Sequence, residues 1–302
     1  MALTINTNLS SMIVQSNLTK ATTSLNQAIE RMTTGYKINH ASDNAAGYSI
    51  ARNWEAQLGS LDVAADNAAT GADMLSTLED NYALVSSHVQ RVRDLTEQAA
   101  NGTYGSQSLA AINSEITARL QEIDRIAANC EFNGQKMMAG TLKGLAIQVG
   151  IDGNADKSQI TLHNDLFKSG KVDALFGTGI GNVEGASVEK IAMLCSGYNP
   201  DATGESHTTT EKPSAMLVVI DKVINEISSR VTTLGAAQNR IDSAIESIGV
   251  QYENITSSLS TLRDADVAEE SSNYIKAQIL QQASATLLAT ANQTPSIALN
   301  LL

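Results

Sequence analysis

Apolar residues recur along this chain in steps of three and four over unusually long distances. The longest run reads Leu217, Ile220, Ile224, Ile227, Val231, Leu234, Gln238, Ile241, Ile245, Ile248, Tyr252, Ile255, Leu259 and Leu262, with Gln238 its one polar member. Residues three and four apart share a helix face, so this spacing predicts a helix with a narrow apolar seam along one side. At about 1.5 Å per residue such a run spans roughly 69 Å. A helix of that length needs a partner along its whole face. The pattern predicts an elongated protein that packs helix against helix rather than enclosing a substrate.

Shorter stripes repeat the theme. Leu18, Leu25 and Met32 step by seven, with Ala21 and Ala28 between them, and a break follows from Thr33-Thr34-Gly35 to about Asn44. A second stripe holds Leu61, Ala64, Ala68, Gly71, Leu75, Leu78, Tyr82, Val85, Val89 and Val92, and Asn101-Gly102 is a strong stop. Trp54 is expected to pack where this helix begins. A third helix carries Leu109, Ile112, Ile116, Leu120, Ile123 and Ala127, and its short link predicts an antiparallel pair with the second. Asn133-Gly134 is expected to end the helical run. A last helix presents Ile275, Ile279, Ala283, Leu287 and Ala291, with acidic residues from Asp264 to Glu270 at its start, Pro295 as its expected end and an apolar tail beyond.

The middle differs. Twelve of the 20 glycines and two of the three prolines lie between Glu131 and Pro213, which predicts strands and loops there. Residues 146–150 and 159–163 read as two short strands of a hairpin around Asp152-Gly153-Asn154. From Asn164 to Thr210 periodicity is weak, and residues 201–213 read as an exposed loop. The expected fold is therefore mainly α, an elongated antiparallel coiled coil or helical bundle of paired N- and C-terminal helices with a small β-hairpin region. The first and last helices have no thick core to lean on. Apolar stripes that one chain cannot cover find other chains, which points to self-association.

Composition narrows the functions. The chain has 302 residues, 42% hydrophobic and only 4% aromatic, which suits thin bundles. A net charge of −12 without any Lys/Arg-rich run argues against nucleic acid. No apolar run reaches the length of a membrane span, so no membrane insertion is expected. The opening residues lack a charged, cleavable signal, which predicts a cytosolic chain or one exported without such a peptide. Cys130 and Cys195 read as free thiols acting as small apolar side chains.

Catalytic motifs are missing. There is no phosphate-binding loop, and Gly177, Gly179 and Gly181 lack the spacing of a dinucleotide fingerprint. His40, His88, His163 and His207 are scattered, with no zinc spacing. Asp152, Asn154 and Asp156 begin like a calcium loop but lack its glycine and its closing glutamate. The expectation is no enzyme, no metal and no cofactor.

Several separated segments resemble bacterial flagellin. They are Met1–Asn8, Ala41–Ile50, Gln90–Leu95 with Asn101-Gly102-Thr103, Glu131–Gly134, Thr233–Arg240 and Ala289–Pro295 before the apolar tail. The resemblance covers roughly residues 1–165 and 213–302, and its motifs follow one another in the family's order. Cys130 and Cys195 depart from a family that tends to lack cysteine, and the chain ends without the basic residue some members carry.

The resemblance implies a subunit of the flagellar filament, a homo-polymer at the cell exterior, exported through the flagellum's own type III channel. It implies an export chaperone, cap and junction proteins as partners, and terminal segments that become helical on assembly. Three regions are expected: a filament-core domain from 1–43 with 263–302, a helical-bundle domain with β-hairpin from 44–164 with 213–262, and a short variable surface region at 165–212. Ile5, Leu9, Ile13, Leu18, Leu25, Ile275, Ile279, Leu287, Leu299 and Leu301 are the expected polymerisation residues. Gly71, Gly235 and Gly249 are expected as shallow knobs that permit more than one register between subunits.

The family also implies recognition by the host's Toll-like receptor 5. The positions matching its contact arginine, leucine and glutamate are Arg91, Leu95 and Glu115, with Gln90, Gln98 and Ile112 nearby. Thr203, Ser206 and Thr208 to Thr210 are candidate O-glycosylation sites. A flagellar hook–filament junction protein is the alternative reading. An enzyme-bearing flagellin fits less well, because residues 165–212 hold no zinc-protease motif.

Overall fold

The computed structural model of the chain describes residues 8–177, 187–198 and 213–299, with side chains through residue 293. The elements run α1 (Leu9–Thr34), α2 (Ala45–Ala100), α3 (Ser106–Asn129), β1 (Glu131–Phe132), β2 (Gln135–Lys136), β3 (Leu145–Gln148), α4 (Ala155–Ser158) and β4 (Gln159–Leu162). A short 3-10 turn (Asn164–Phe167), α5 (Val172–Gly177), α6 (Val188–Ser196), α7 (Pro213–Arg263) and α8 (Val267–Leu299) follow. The chain divides into two compact units, one from Met1–Gly59 with Gln251–Leu302 and one from Ser60–Val250.

In the first unit α1 pairs with α8. The Asn8 side chain caps α1 by accepting the Ser11 N–H at 3.1 Å, and Gly35 ends it in the left-handed conformation at φ 75°. Asp266 caps α8 by accepting from Ala268 and Glu269 N–H, and Glu269 and Glu270 face the positive end of the helix. The pair is antiparallel: Arg31 bonds Glu270, Gln281 donates to Thr22, and Ser11 donates to Asn292. The terminal helices thus pair with each other, as the paired stripes predict. What they bury is small or paired: Ala21, Ala28, Ala277 and Ser284, with Glu270 buried against Arg31.

Pro295 does not end α8, which continues to Leu299. Proline lacks the N–H that would bond the carbonyl four residues earlier, that of Ala291. The Asn8 side-chain amide donates to that carbonyl at 2.8 Å, tying the start of α1 to the end of α8.

The link between α1 and α2 is pinned to the end of α7. Lys37 N–H donates to the Arg263 carbonyl, Ala265 N–H to the Gly35 carbonyl, and the Arg263 guanidinium lies 4.0 Å over the Tyr36 ring while pairing with Glu55. The Asp43 carboxylate accepts the backbone N–H groups of Asn39 and His40. The His40 N–H above all, then that of Asn39, holds the Asp43 pKa below the usual carboxylate value against a small desolvation cost. Asn44 then caps α2 at Gly47 N–H.

The second unit carries the thick core. Every member of the α2 stripe from Leu61 to Val92 is buried, and so is every member of the α3 stripe. α2 and α7 run antiparallel here, with Arg93 bonded to Asp221 and Gln238 donating to Glu79. On α7 the buried line is Met216, Ile220, Val223, Ile227, Arg230, Leu234, Ala237, Ile241 and Ile248. It shares every second position with the expected seam, but the intervening ones sit one residue earlier. Gln238 therefore lies on the flank, where its amide is satisfied, and Arg230 occupies the seam. Arg230 is only 9% exposed, bonded to Glu226 at 3.1 Å and donating to the Ser169 carbonyl at 3.0 Å.

The expected hairpin is β3 with β4, antiparallel, pairing Leu145 with Leu162 and Ile147 with Ile160. Its connection is longer than a tight turn and holds α4, capped by Asn154. Asn133-Gly134 forms a second, unexpected hairpin between β1 and β2, with positive φ at both residues (48° and 80°). Gly71 is covered by Ile147, whose Cδ1 would lie 2.5 Å from an added Cβ. It is an internal fit and not an exposed knob, whereas Gly235 and Gly249 face open space. α5 and α6 occupy a stretch where periodicity gave no helix. Asp124 on α3 accepts the Val172 N–H at the start of α5, and Ser196 at the end of α6 donates to Asn113 on α3.

Both cysteines are free and buried. Burial pushes the Cys130 thiol up to about 11 and Cys195 to about 12, so each is an uncharged apolar side chain. Among the described residues no helix is long and apolar enough to cross a membrane, and no cluster of His, Cys, Asp and Glu suits a metal ion.

Candidate assembly and recognition surfaces

The α1–α8 pair inverts the usual placement of side chains. Small residues fill its interior, and large apolar ones face outward. Leu9 is 66% exposed, Ile13 54%, Ile275 54%, Ile279 59% and Leu287 57%. Leu18 and Leu25 are half-buried along the flank of the pair. Ile5 and Leu301 lie outside the described residues, as does the side chain of Leu299. Met12 and Leu280 are also exposed on these two helices; the sequence reading missed them because they sit beside the stripes rather than on them.

Between the two helices runs a groove of about 680 Å³, lined by Ala21, Ala28, Ala277, Leu280, Ala283 and Leu287 with Lys20, Arg31 and Lys276 among its polar members. Single exposed apolar residues are ordinary on a protein surface, but their recurrence along both helices of one pair makes it a candidate contact surface. Hydrophobic burial is non-directional and scales with area, so such a face gains by meeting a second helical pair.

The residues expected to meet a receptor fall into two groups. Arg91 donates from Nε and Nη2 to one Glu115 oxygen at 3.0 and 2.8 Å, joining α2 to α3 across the surface. Gln90 is exposed, and so is Gln98, whose amide donates to the Tyr104 hydroxyl at 3.3 Å. Leu95 and Ile112 are different: at 2% and 8% exposed they belong to the core, alongside Ile116 and, from α6, Ile191. The structure thus joins Arg91 to Glu115 at the surface, leaves Gln90 and Gln98 exposed, and places Leu95 and Ile112 in the core. Thr203, Ser206 and Thr208 to Thr210 lie outside the described residues.

Nothing in these surfaces resembles a reaction centre. Exposed apolar residues on a helical pair suit a structural protein that packs against other helices. Residues 5–143 match the bacterial flagellin N-terminal helical region, and residues 217–302 match the bacterial flagellin C-terminal helical region. The flagellin of Bacillus subtilis is 34% identical, with 99% of each chain covered. Polar flagellin F of Vibrio parahaemolyticus is 29% identical over the whole of both chains. A crystal structure of Bacillus cereus flagellin covers 61% of this chain and 88% of its own, at 22% identity and a TM-score of 0.44. The chain belongs to the bacterial flagellin family. It is a structural subunit of the flagellar filament and not an enzyme.

Proposed function

We propose that the subunit polymerises through the outward faces of α1 and α8, with residues 1–43 and 263–302 forming the filament core. The observation that carries this is the exposure of Leu9, Ile13, Ile275, Ile279 and Leu287 on a pair whose buried residues are alanine, serine and the paired Glu270. A contact between unlike surfaces of identical subunits that does not close produces an open helical filament. The same faces need cover before assembly, which supports an export chaperone as a partner, and cap and junction proteins would meet them at the filament's ends. Export through the flagellar type III channel fits this scheme.

Seeded polymerisation followed by negative-stain electron microscopy tests the reading. The full chain is expected to extend filament seeds, and an Ile13→Ser/Ile279→Ser/Leu287→Ser variant is expected to stay soluble with unchanged helicity. Full-length filaments from that variant would remove α1 and α8 from the contact. Soluble particles from the unaltered chain as well would favour the junction-protein alternative.

A second role is recognition by Toll-like receptor 5. It is supported by the exposed Arg91–Glu115 pair flanked by Gln90 and Gln98, with Leu95 and Ile112 supporting that surface from below. A charge reversal, Arg91→Asp, is expected to abolish signalling in a receptor reporter cell. Unchanged signalling would reject the assignment.

A further inference from the structure

We propose that Asn101 is a site of spontaneous covalent modification: its side-chain amide is lost to attack by the following backbone nitrogen, leaving aspartate or isoaspartate in the turn between α2 and α3. The proposal concerns the chemistry of the isolated subunit and does not rest on the assembly or receptor readings.

The chain contains two Asn-Gly pairs, Asn101-Gly102 and Asn133-Gly134. The reaction needs a glycine whose unhindered nitrogen can reach the neighbouring Cγ, and a backbone free to rotate into the ring geometry. Asn101 and Gly102 are both exposed, and an added Cβ at Gly102 would meet nothing within 4 Å. Among the described residues the Gly102 N–H donates to no protein acceptor. The hydrogen bonds across the turn are long: Asn101 N–H to the Gln98 carbonyl at 3.3 Å, Tyr104 N–H to the Asn101 carbonyl at 3.4 Å and the Gln98 amide to the Tyr104 hydroxyl at 3.3 Å.

Asn133 offers the same pair of residues in a locked setting. It lies at φ 48° in a two-residue turn, clamped by pairing of Phe132 with Gln135 and of Glu131 with Lys136, and backed by Met137 N–H on the Cys130 carbonyl at 3.0 Å. Rotating that backbone would break the hairpin, so Asn133 serves as an internal control.

The step balances with water as the only co-reactant. The Gly102 nitrogen forms a bond to Asn101 Cγ and loses its proton, the Cγ–Nδ2 bond breaks, and ammonia leaves. Water then opens the five-membered ring at either carbonyl. One product is aspartate; the other is isoaspartate, which adds a methylene to the main chain. Either product puts a carboxylate just beyond the C-terminal end of α2, where the helix dipole is negative. It also disturbs the turn that holds Tyr104 against Gln98.

The test incubates the purified full chain in mildly alkaline buffer at body temperature and follows the peptides carrying Asn101 and Asn133 by mass, with isoaspartate read by enzymatic methylation. Asn101 is expected to convert an order of magnitude faster than Asn133. Gly102→Ala, which the open space accommodates, is expected to slow conversion at 101 by a similar factor while circular dichroism stays unchanged. Equal rates at the two sites, faster conversion at Asn133, or an unaffected Gly102→Ala variant would overturn the proposal.

Discussion

The α1–α8 pair and the bundle of residues 60–250 are built from similar apolar repeats but use them in opposite ways. In the bundle the large side chains point inward: Leu75, Leu78, Tyr82, Leu120 and Phe176 are fully buried. In the terminal pair alanine and serine point inward, while leucine and isoleucine face out. The difference teaches that an apolar stripe does not by itself say which face of a helix is inside. Where small residues alternate with large ones, two helices approach most closely through the small ones. The large ones are then left for a surface that another copy can bury. On the proposed reading, stability and assembly fall to different parts of one chain.

The sharpest way to break the comparison is truncation inside the bundle. Leu120→Ala removes a fully buried side chain and is expected to cost about 2–5 kcal/mol in denaturant unfolding. A cost near zero would mean that the bundle does not carry the stability.

Arg230→Met comes next. It keeps the apolar stem of the seam residue but strands the Ser169 carbonyl and frees Glu226, with an expected loss of about 1–3 kcal/mol. Tyr82, whose hydroxyl faces the Leu166 carbonyl of the same loop at 3.4 Å, sits deep enough for burial to raise its pKa. The nearby Arg230 charge opposes that rise. In Arg230→Met the Tyr82 phenol is therefore expected to titrate higher still, which absorbance can follow.

Ile279→Ser belongs to the other region. Exposed in the subunit, it is expected to change unfolding by within about 0.5 kcal/mol while filament growth is lost. A large loss of subunit stability would show that Ile279 packs internally.

The smallest effect is electrostatic. Asp43, held low by the His40 and Asn39 N–H groups, contributes stability that is fully present above the ordinary carboxylate value. That contribution fades as pH falls through this value and the lower one of the folded state. Asp43→Asn is expected to flatten the acid limb of the stability–pH curve slightly. An identical acid limb in the variant would remove Asp43 from the account.

Much of the bundle was legible because its stripes are long and chemically uniform. Leu61 to Val92 and Leu109 to Ala127 give the inward faces of α2 and α3 directly. On α7 the pattern misleads at alternate positions. Val231 looks like the seam, yet Arg230 takes it, because its long stem can lie in the core while its guanidinium reaches the Ser169 carbonyl. α6 escaped notice because nine residues give too few turns for periodicity to stand out. Pro295 read as a stop because proline removes a backbone donor, and nothing near it in sequence reveals that Asn8, 283 positions away from Ala291, donates to the carbonyl there. For the proposed recognition surface, the family resemblance named Arg91 and Glu115 together, and the structure pairs them. The sequence could not separate them from Leu95 and Ile112, whose burial depends on α6 and the rest of the core.

The central claim is that the bundle holds the subunit together while α1 and α8 are reserved for contact between subunits. Amide hydrogen exchange, measured on the soluble subunit and on the assembled filament, tests it directly. The account predicts slow exchange across α2, α3 and α7 between residues 60 and 250 in both states. In α1 and α8, where little apolar area is buried, exchange should be fast in the subunit and strongly protected in the filament. Equal protection of α1 and α8 in the two states would contradict it.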